Sequence, residues 1–118
     1  MIHFYILDDK HKPIAMNAED NIDLTYYGRW MAILSNRRVA ESTYNGCWVS
    51  TVFLGVDHNF ADHGKPILFE TMIFTKRKGS YKKINEYQWR YRTWDEAETG
   101  HQRISKLVKH KDITQLAH

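Results

Sequence analysis

Apolar and polar positions follow different rhythms along this chain, and each rhythm predicts an element. Residues Ile2 to Leu7 are β-branched and aromatic and end at Asp8-Asp9, which predicts a first strand and a turn. Lys10 to Ala18, with Pro13, reads as a loop. From Glu19 to about Ser35 the apolar residues Leu24, Tyr27, Met31 and Leu34 recur at helical spacing, bordered by Trp30, and predict a helix with one buried stripe. Gly28 weakens that pattern. Asn45-Gly46 then separates Arg38–Tyr44 from Cys47–Leu54, two runs rich in Val, Thr, Tyr and Trp. Asn-Gly supplies the positive φ angles of a type I′ hairpin turn, so Tyr44 is expected opposite Cys47 and Thr43 opposite Trp48.

Gly55 to Lys65 is a polar loop. Pro66 to Thr75 is apolar on both faces apart from Glu70, the pattern of a central strand buried on both sides. Lys76 to Lys83 is a basic turn around Gly79. Between Ile84 and Arg92, Tyr87, Trp89 and Tyr91 share one face by alternation. Thr93-Trp94-Asp95-Glu96 opens the last helix as a capping box, and Ala97, His101, Ile104 and Val108 share one side of that helix. The tail from Lys111 carries no pattern and is expected to fray. The expected class is α+β: an antiparallel meander of about five strands, its two helices packed mainly on one face. One domain spans residues 1–110, followed by a tail at 111–118.

With 118 residues the chain suits a single domain, long enough to bury roughly 65% of the surface its unfolded form exposes. Cys47 is the sole cysteine, which excludes an intramolecular disulfide. It lies beside a turn with no activating neighbour, so it reads as inert. No run approaches a membrane-spanning helix, and the first residues carry neither the basic stretch nor the apolar length of a secretory leader. The cytoplasm is the expected compartment and no membrane partner is implied. A net charge of +3 points by itself to neither nucleic acid nor membrane. Oligomerisation is left open.

Four polar groups stand where they could carry chemistry. Asp57 and His58 follow a strand directly. Glu70 lies mid-strand on the face of Leu68 and Met72, and His101 lies on the apolar side of the last helix. A buried carboxylate is costly unless paired, and an imidazole facing the sheet is its natural partner, so Glu70 and His101 are expected within hydrogen-bond reach. Three readings follow. The pair is a structural clamp between helix and sheet. Alternatively it belongs to a ligand site, with Glu70 orienting His101 as a general base. In the third, Asp57, His58, Glu70 and His101 hold a divalent ion through N and O ligands, as in a metal-dependent hydrolase or nuclease, with Asp62 and His63 as further loop donors. Their spacing matches no established metal motif, so no metal or cofactor is assigned. Lys76, Arg77, Lys78, Lys82 and Lys83 surround Tyr81, a set able to grip phosphates and stack a base or, more simply, to protect a sheet edge from aggregation. The Tyr87, Trp89, Tyr91 row reads as core facing a helix layer. No nucleophile motif, phosphate-cradling glycine loop or Cys-x-x-Cys is present.

Three segments carry a resemblance: Val49-Ser-Thr-Val-Phe-Leu-Gly-Val-Asp-His-Asn-Phe60, Leu68-Phe-Glu-Thr-Met-Ile-Phe74 and Trp94-Asp-Glu-Ala-Glu-Thr-Gly-His101. They resemble a family of small, uncharacterised bacteriophage and prophage proteins with a Gly-Leu-Asp-His strand end, a Phe-Glu-Thr-Met strand and a capped Ala-x-x-Gly-His helix. The loop Ala61–Lys65 and the basic turn at Lys76–Lys83 depart from that pattern. The resemblance implies a phage-type setting, hence host cytoplasm, and supplies no activity. In that setting the first reading is a small accessory protein that binds a host factor or a small anionic, nucleotide-like molecule, as anti-defence proteins do. The metal-dependent hydrolase and a structural or assembly component are the alternatives.

Overall fold

The computed structural model describes residues 3–61, 64–77 and 79–110, with the backbone alone at 77 and 81–87. The first strand, β1 (Phe4–Leu7), is the apolar run read from the sequence. The segment read as a loop instead returns as a second strand, β2 (Pro13–Met16), antiparallel to β1 with Leu7 opposite Pro13 and Phe4 opposite Met16. Asp8 holds their turn: its Oδ1 accepts the amides of Lys10 and Lys12 at 2.8 and 2.9 Å. Pro13, Ile14 and Ala15 are all exposed, so β2 has no buried face for alternation to reveal, and Pro13 occupies the first strand position, where a missing amide is tolerated.

Helix α1 (Asn21–Ala32) begins at Asp20, whose carboxylate accepts the amides of Ile22 and Asp23. It ends one turn earlier than the sequence pattern predicts. Ile33 is extended (φ −88, ψ 105), and a separate single turn, α2 (Leu34–Arg37), follows. The break takes Leu34 off the expected buried stripe and leaves it 45% exposed. Tyr27 and Met31 do face inward, against Gly55 at φ 76, and Trp30 meets Phe53 edge-on with ring centroids 5.7 Å apart.

Four strands form the main sheet: β3 (Arg38–Tyr44), β4 (Cys47–Phe53), β5 (Phe69–Arg77) and β6 (Ser80–Tyr91), antiparallel in the order β3-β4-β5-β6. The hairpin is the expected one. Asn45 (φ 53) and Gly46 (φ 75) make the turn, Tyr44 pairs with Cys47 and Thr43 with Trp48. The β1–β2 hairpin is a separate two-stranded sheet rather than a fifth strand of the meander. It is tied to the end of β4 by the Tyr5 amide on the Gly55 carbonyl (2.9 Å) and a bridge between Phe4 and Val56.

Helix α3 (Trp94–His110) starts where the capping box predicts. The Thr93 Oγ1 accepts the Glu96 amide at 3.1 Å and donates to the Glu96 carboxylate at 3.0 Å, so the reciprocal contact joins the two side chains. The helix lies across one sheet face. Ile104 and Val108 pack on Cys47, Val49 and Ile73, while Ala97 joins Leu7, Phe53, Leu68 and Phe69 with Trp30 and Met31 around them. Gly100 lets the helix settle directly on the Tyr91 ring. Helices α1 and α3 therefore cover the same face, as expected, and the β1–β2 hairpin joins them there through Leu7. Strand β5 was expected to be buried on both sides. Phe69, Thr71 and Ile73 are sealed under α3, whereas on the other side Glu70 is buried but Met72 and Phe74 are only half-buried, and no residue of a described helix packs against them in the two core clusters. The expectation for 111–118 lies outside the described residues. Among those residues no helix is long and apolar enough to cross a membrane.

Candidate functional site

His101 is buried at the centre of the α3–sheet interface, and both of its ring nitrogens are bonded. Nε2 lies 2.8 Å from Ser42 Oγ on β3, and Nδ1 lies 2.7 Å from Thr51 Oγ1 on β4, which in turn lies 2.5 Å from Thr71 Oγ1 on β5. A chain of hydroxyls from three strands thus meets one imidazole. Hydroxyls donate or accept as required, so either neutral tautomer is satisfied. Burial lowers the His101 pKa, because desolvation disfavours imidazolium. The Tyr91 hydroxyl reaches the same layer beside Thr71, and Ser105 adds a hydroxyl oxygen that is buried with no partner among the described residues.

The expected Glu70–His101 bond is not formed. Thr71 points toward α3, and the neighbouring Glu70, by strand alternation, points to the opposite face. There its Oε2 lies 3.6 Å from Nε of Arg90, its register partner on β6. Glu70 is 5% exposed, and its neighbour is a guanidinium rather than the expected imidazole.

Asp57 and His58 serve their own loop. Asp57 Oδ1 accepts the amides of Asn59 and Ile67 at 2.7 and 2.9 Å, and His58 Nδ1 donates to the Val56 carbonyl at 2.8 Å. The His58 amide also bonds the Ile67 carbonyl at 2.9 Å, so the pair clasps the two ends of the loop together. Asp62 and His63 lie outside the described residues. Asp57, His58, Glu70 and His101 therefore divide among a loop clasp, an ion pair on one sheet face and a hydroxyl network on the other. Among the described residues, no group of three or more His, Cys, Asp or Glu is placed to hold a metal ion.

The chemistry of the buried network fixes a pH response. A histidine whose folded pKa lies below its unfolded value takes up a proton more readily when unfolded, so stability falls as pH drops. The loss begins near the ordinary histidine value of about 6.5 and levels off below the lowered folded value. Urea melts across the acidic range should show this fall, and His101→Gln should flatten it. A wild-type profile with no such fall, or one unchanged in the variant, contradicts the assignment.

The helix-free face presents a different surface. Trp48 and Val52 on β4 and Met72 and Phe74 on β5 project there, with Glu41 and Thr43 on the edge strand β3. None of them enters the two clusters under the helices. The Trp48 and Phe74 rings lie 4.8 Å apart at 30°. Beside Trp48, a depression of about 410 Å³ opens between Glu41, Ser42 and Thr43. Lys76, two residues beyond Phe74, falls on the same face and is exposed, and its amide bonds the Gly46 carbonyl at 3.0 Å. The side chains of Arg77, Lys78, Tyr81, Lys82 and Lys83 lie outside the described residues, as does that of Tyr87. Trp89 and Tyr91 pack beneath α3, as core residues. The aromatic pair that sequence reasoning passed over is Trp48 and Phe74. The signal was present: Trp48 alternates with Val49, and the Asn45-Gly46 register puts Trp48 beside Thr43.

Comparisons with protein-family models, with curated proteins and with solved structures find no match.

Proposed function

We propose that this protein acts by binding, and that its ligand is a planar anion of nucleotide type received on the helix-free face of the four-stranded sheet. The observation that carries this reading is the Trp48–Phe74 ring pair on a face no described helix covers, beside a depression large enough for a base. Pockets for small ligands begin at about 300 Å³. An aromatic surface on neighbouring strands is the platform on which bases stack, and a stacked base contributes about 1–3 kcal/mol. Lys76 stands on the same face at the start of the basic turn, where the phosphate of a base stacked on Phe74 would lie. In the phage-type setting implied by the three resembling segments, such a protein acts as an accessory factor that sequesters a nucleotide or nucleic acid of the host. His101 then has a structural role, because its network lies on the covered face.

Nucleotide chemistry has two sources, a free nucleotide and a single strand, and the test separates them. Fluorescence anisotropy with a labelled oligothymidylate at low salt, competed by mononucleotide, reports both. Trp48→Ala is expected to weaken binding about tenfold or more, within the range of one lost stack. If the ligand is a single strand, affinity falls with salt at a log–log slope of at most about −3.5 for five cations, and Lys76→Ala reduces that slope by about 0.7. Competition by mononucleotide at equal affinity assigns the free nucleotide instead. Absence of binding to both, or a Trp48→Ala protein that binds like the wild type, defeats the proposal.

A further inference from the structure

The outer side of α1 carries a second surface, unrelated to the sheet face. A helix normally buries one stripe, yet no residue of α1 is buried. Apolar side chains stand out into solvent instead: Ile22 is 79% exposed and Tyr26 58%, with Ile33 and Leu34 at 54% and 45% where the helix ends. Ile22, Tyr26 and Arg29 recur at three- and four-residue spacing, so they line one side of the helix. Inward-facing Tyr27, Trp30 and Met31 already account for the contact of α1 with its own chain. Clusters of exposed apolar side chains on a folded protein mark interaction sites.

The charges flanking this stripe are divided by sign. Glu19, Asp20 and Asp23 stand at its start, and Arg29 in its last turn. Arg29 is exposed and makes no ion pair with a described residue. Such a surface complements itself when turned through a two-fold axis. We infer that α1 pairs antiparallel with α1 of a second copy of this chain, giving a symmetric dimer. Ile22 of each copy then meets Ile33 of the other, and Tyr26 meets Arg29 in a cation–π contact, which leaves Asp23 within one turn of the partner's Arg29 guanidinium. The antiparallel arrangement also opposes the two helix dipoles favourably. One helix face offers less than the roughly 800 Å² per partner of a standard interface, so the dimer forms in a concentration-dependent manner.

Sedimentation velocity of the whole chain across a wide concentration range tests this. The wild type should shift from monomer to dimer as concentration rises. Tyr26→Lys, which leaves the inward face of α1 untouched, should remain monomeric throughout, and Arg29→Glu should move the transition to higher concentration. Phe60→Lys, which removes an exposed aromatic away from α1, should dimerise like the wild type. Matching thermal melts and unchanged oligonucleotide binding would confirm that both α1 variants are folded. A wild type that is monomeric at every concentration overturns the inference, and so does a dimer that survives Tyr26→Lys or is lost in Phe60→Lys.

Discussion

Gly100→Ala should be the most damaging single-methyl change in this protein, lowering the unfolding free energy by about 1–3 kcal/mol or more, the cost of forcing a methyl group into a packed core. A Cβ at residue 100 would stand 2.3 Å from Cζ and Oη of Tyr91 and 2.4 Å from its Cε1. The obstacle is a ring packed between strand and helix, not the end of a mobile chain, so α3 must rise off the sheet. Lifting it would also pull the adjacent His101 from Ser42 and Thr51. Gly28→Ala is the matched control. It too lies inside a helix, but a Cβ there meets nothing within 4 Å, so stability should rise by about 0.5–1 kcal/mol through the helix preference for alanine. Urea melts of the two variants should move in opposite directions. A Gly100→Ala protein as stable as the wild type would show that α3 does not lie against Tyr91 as described.

His101→Leu should cost a comparable amount for a different reason. It strands the half-buried Ser42 hydroxyl and leaves the buried Thr51 with Thr71 alone, and a buried polar group that loses a partner costs about 1–3 kcal/mol. Replacing a partner as well should recover part of the loss: Thr51→Val with His101→Leu should be less destabilised than the sum of the two single changes. Glu70→Gln provides the contrast. Because Glu70 faces away from His101 and beside Arg90, its effect should add to that of His101→Leu within about 0.5 kcal/mol. Strong coupling between Glu70 and His101 in that cycle would restore the pairing that the strand register rules out.

The parts of the fold that sequence made legible are those written in local stereochemistry. Asn45-Gly46 encodes its turn in two positive φ angles, and Thr93 and Glu96 encode the start of α3 in side-chain hydrogen bonds. β2 was illegible because three of its four residues are exposed and so have no alternation to display. Leu34 was misplaced because one extended residue, Ile33, resets the helical phase. The site was harder still. On β5 the residues of both faces are largely apolar, so the pattern says that Glu70 is unusual without saying which face it occupies. Ser42, Thr51 and Thr71 are ordinary strand residues, and nothing in their spacing announces an imidazole 50 or 59 residues away in the chain. The Trp48–Phe74 pair depends on the register between β4 and β5, which is tertiary information.

The central claim, that the helix-free sheet face receives a nucleotide-type ligand, is tested most directly by mapping amide shifts in ¹⁵N-labelled protein titrated first with mononucleotide and then with oligothymidylate. Shifts should centre on Thr43, Trp48, Phe74 and Lys76 together with the Trp48 indole N–H, while His101, Ile104 and Val108 beneath the sheet stay still. Shifts confined to the Asp57–His58 loop or to α3, or no shifts with either ligand, would contradict it.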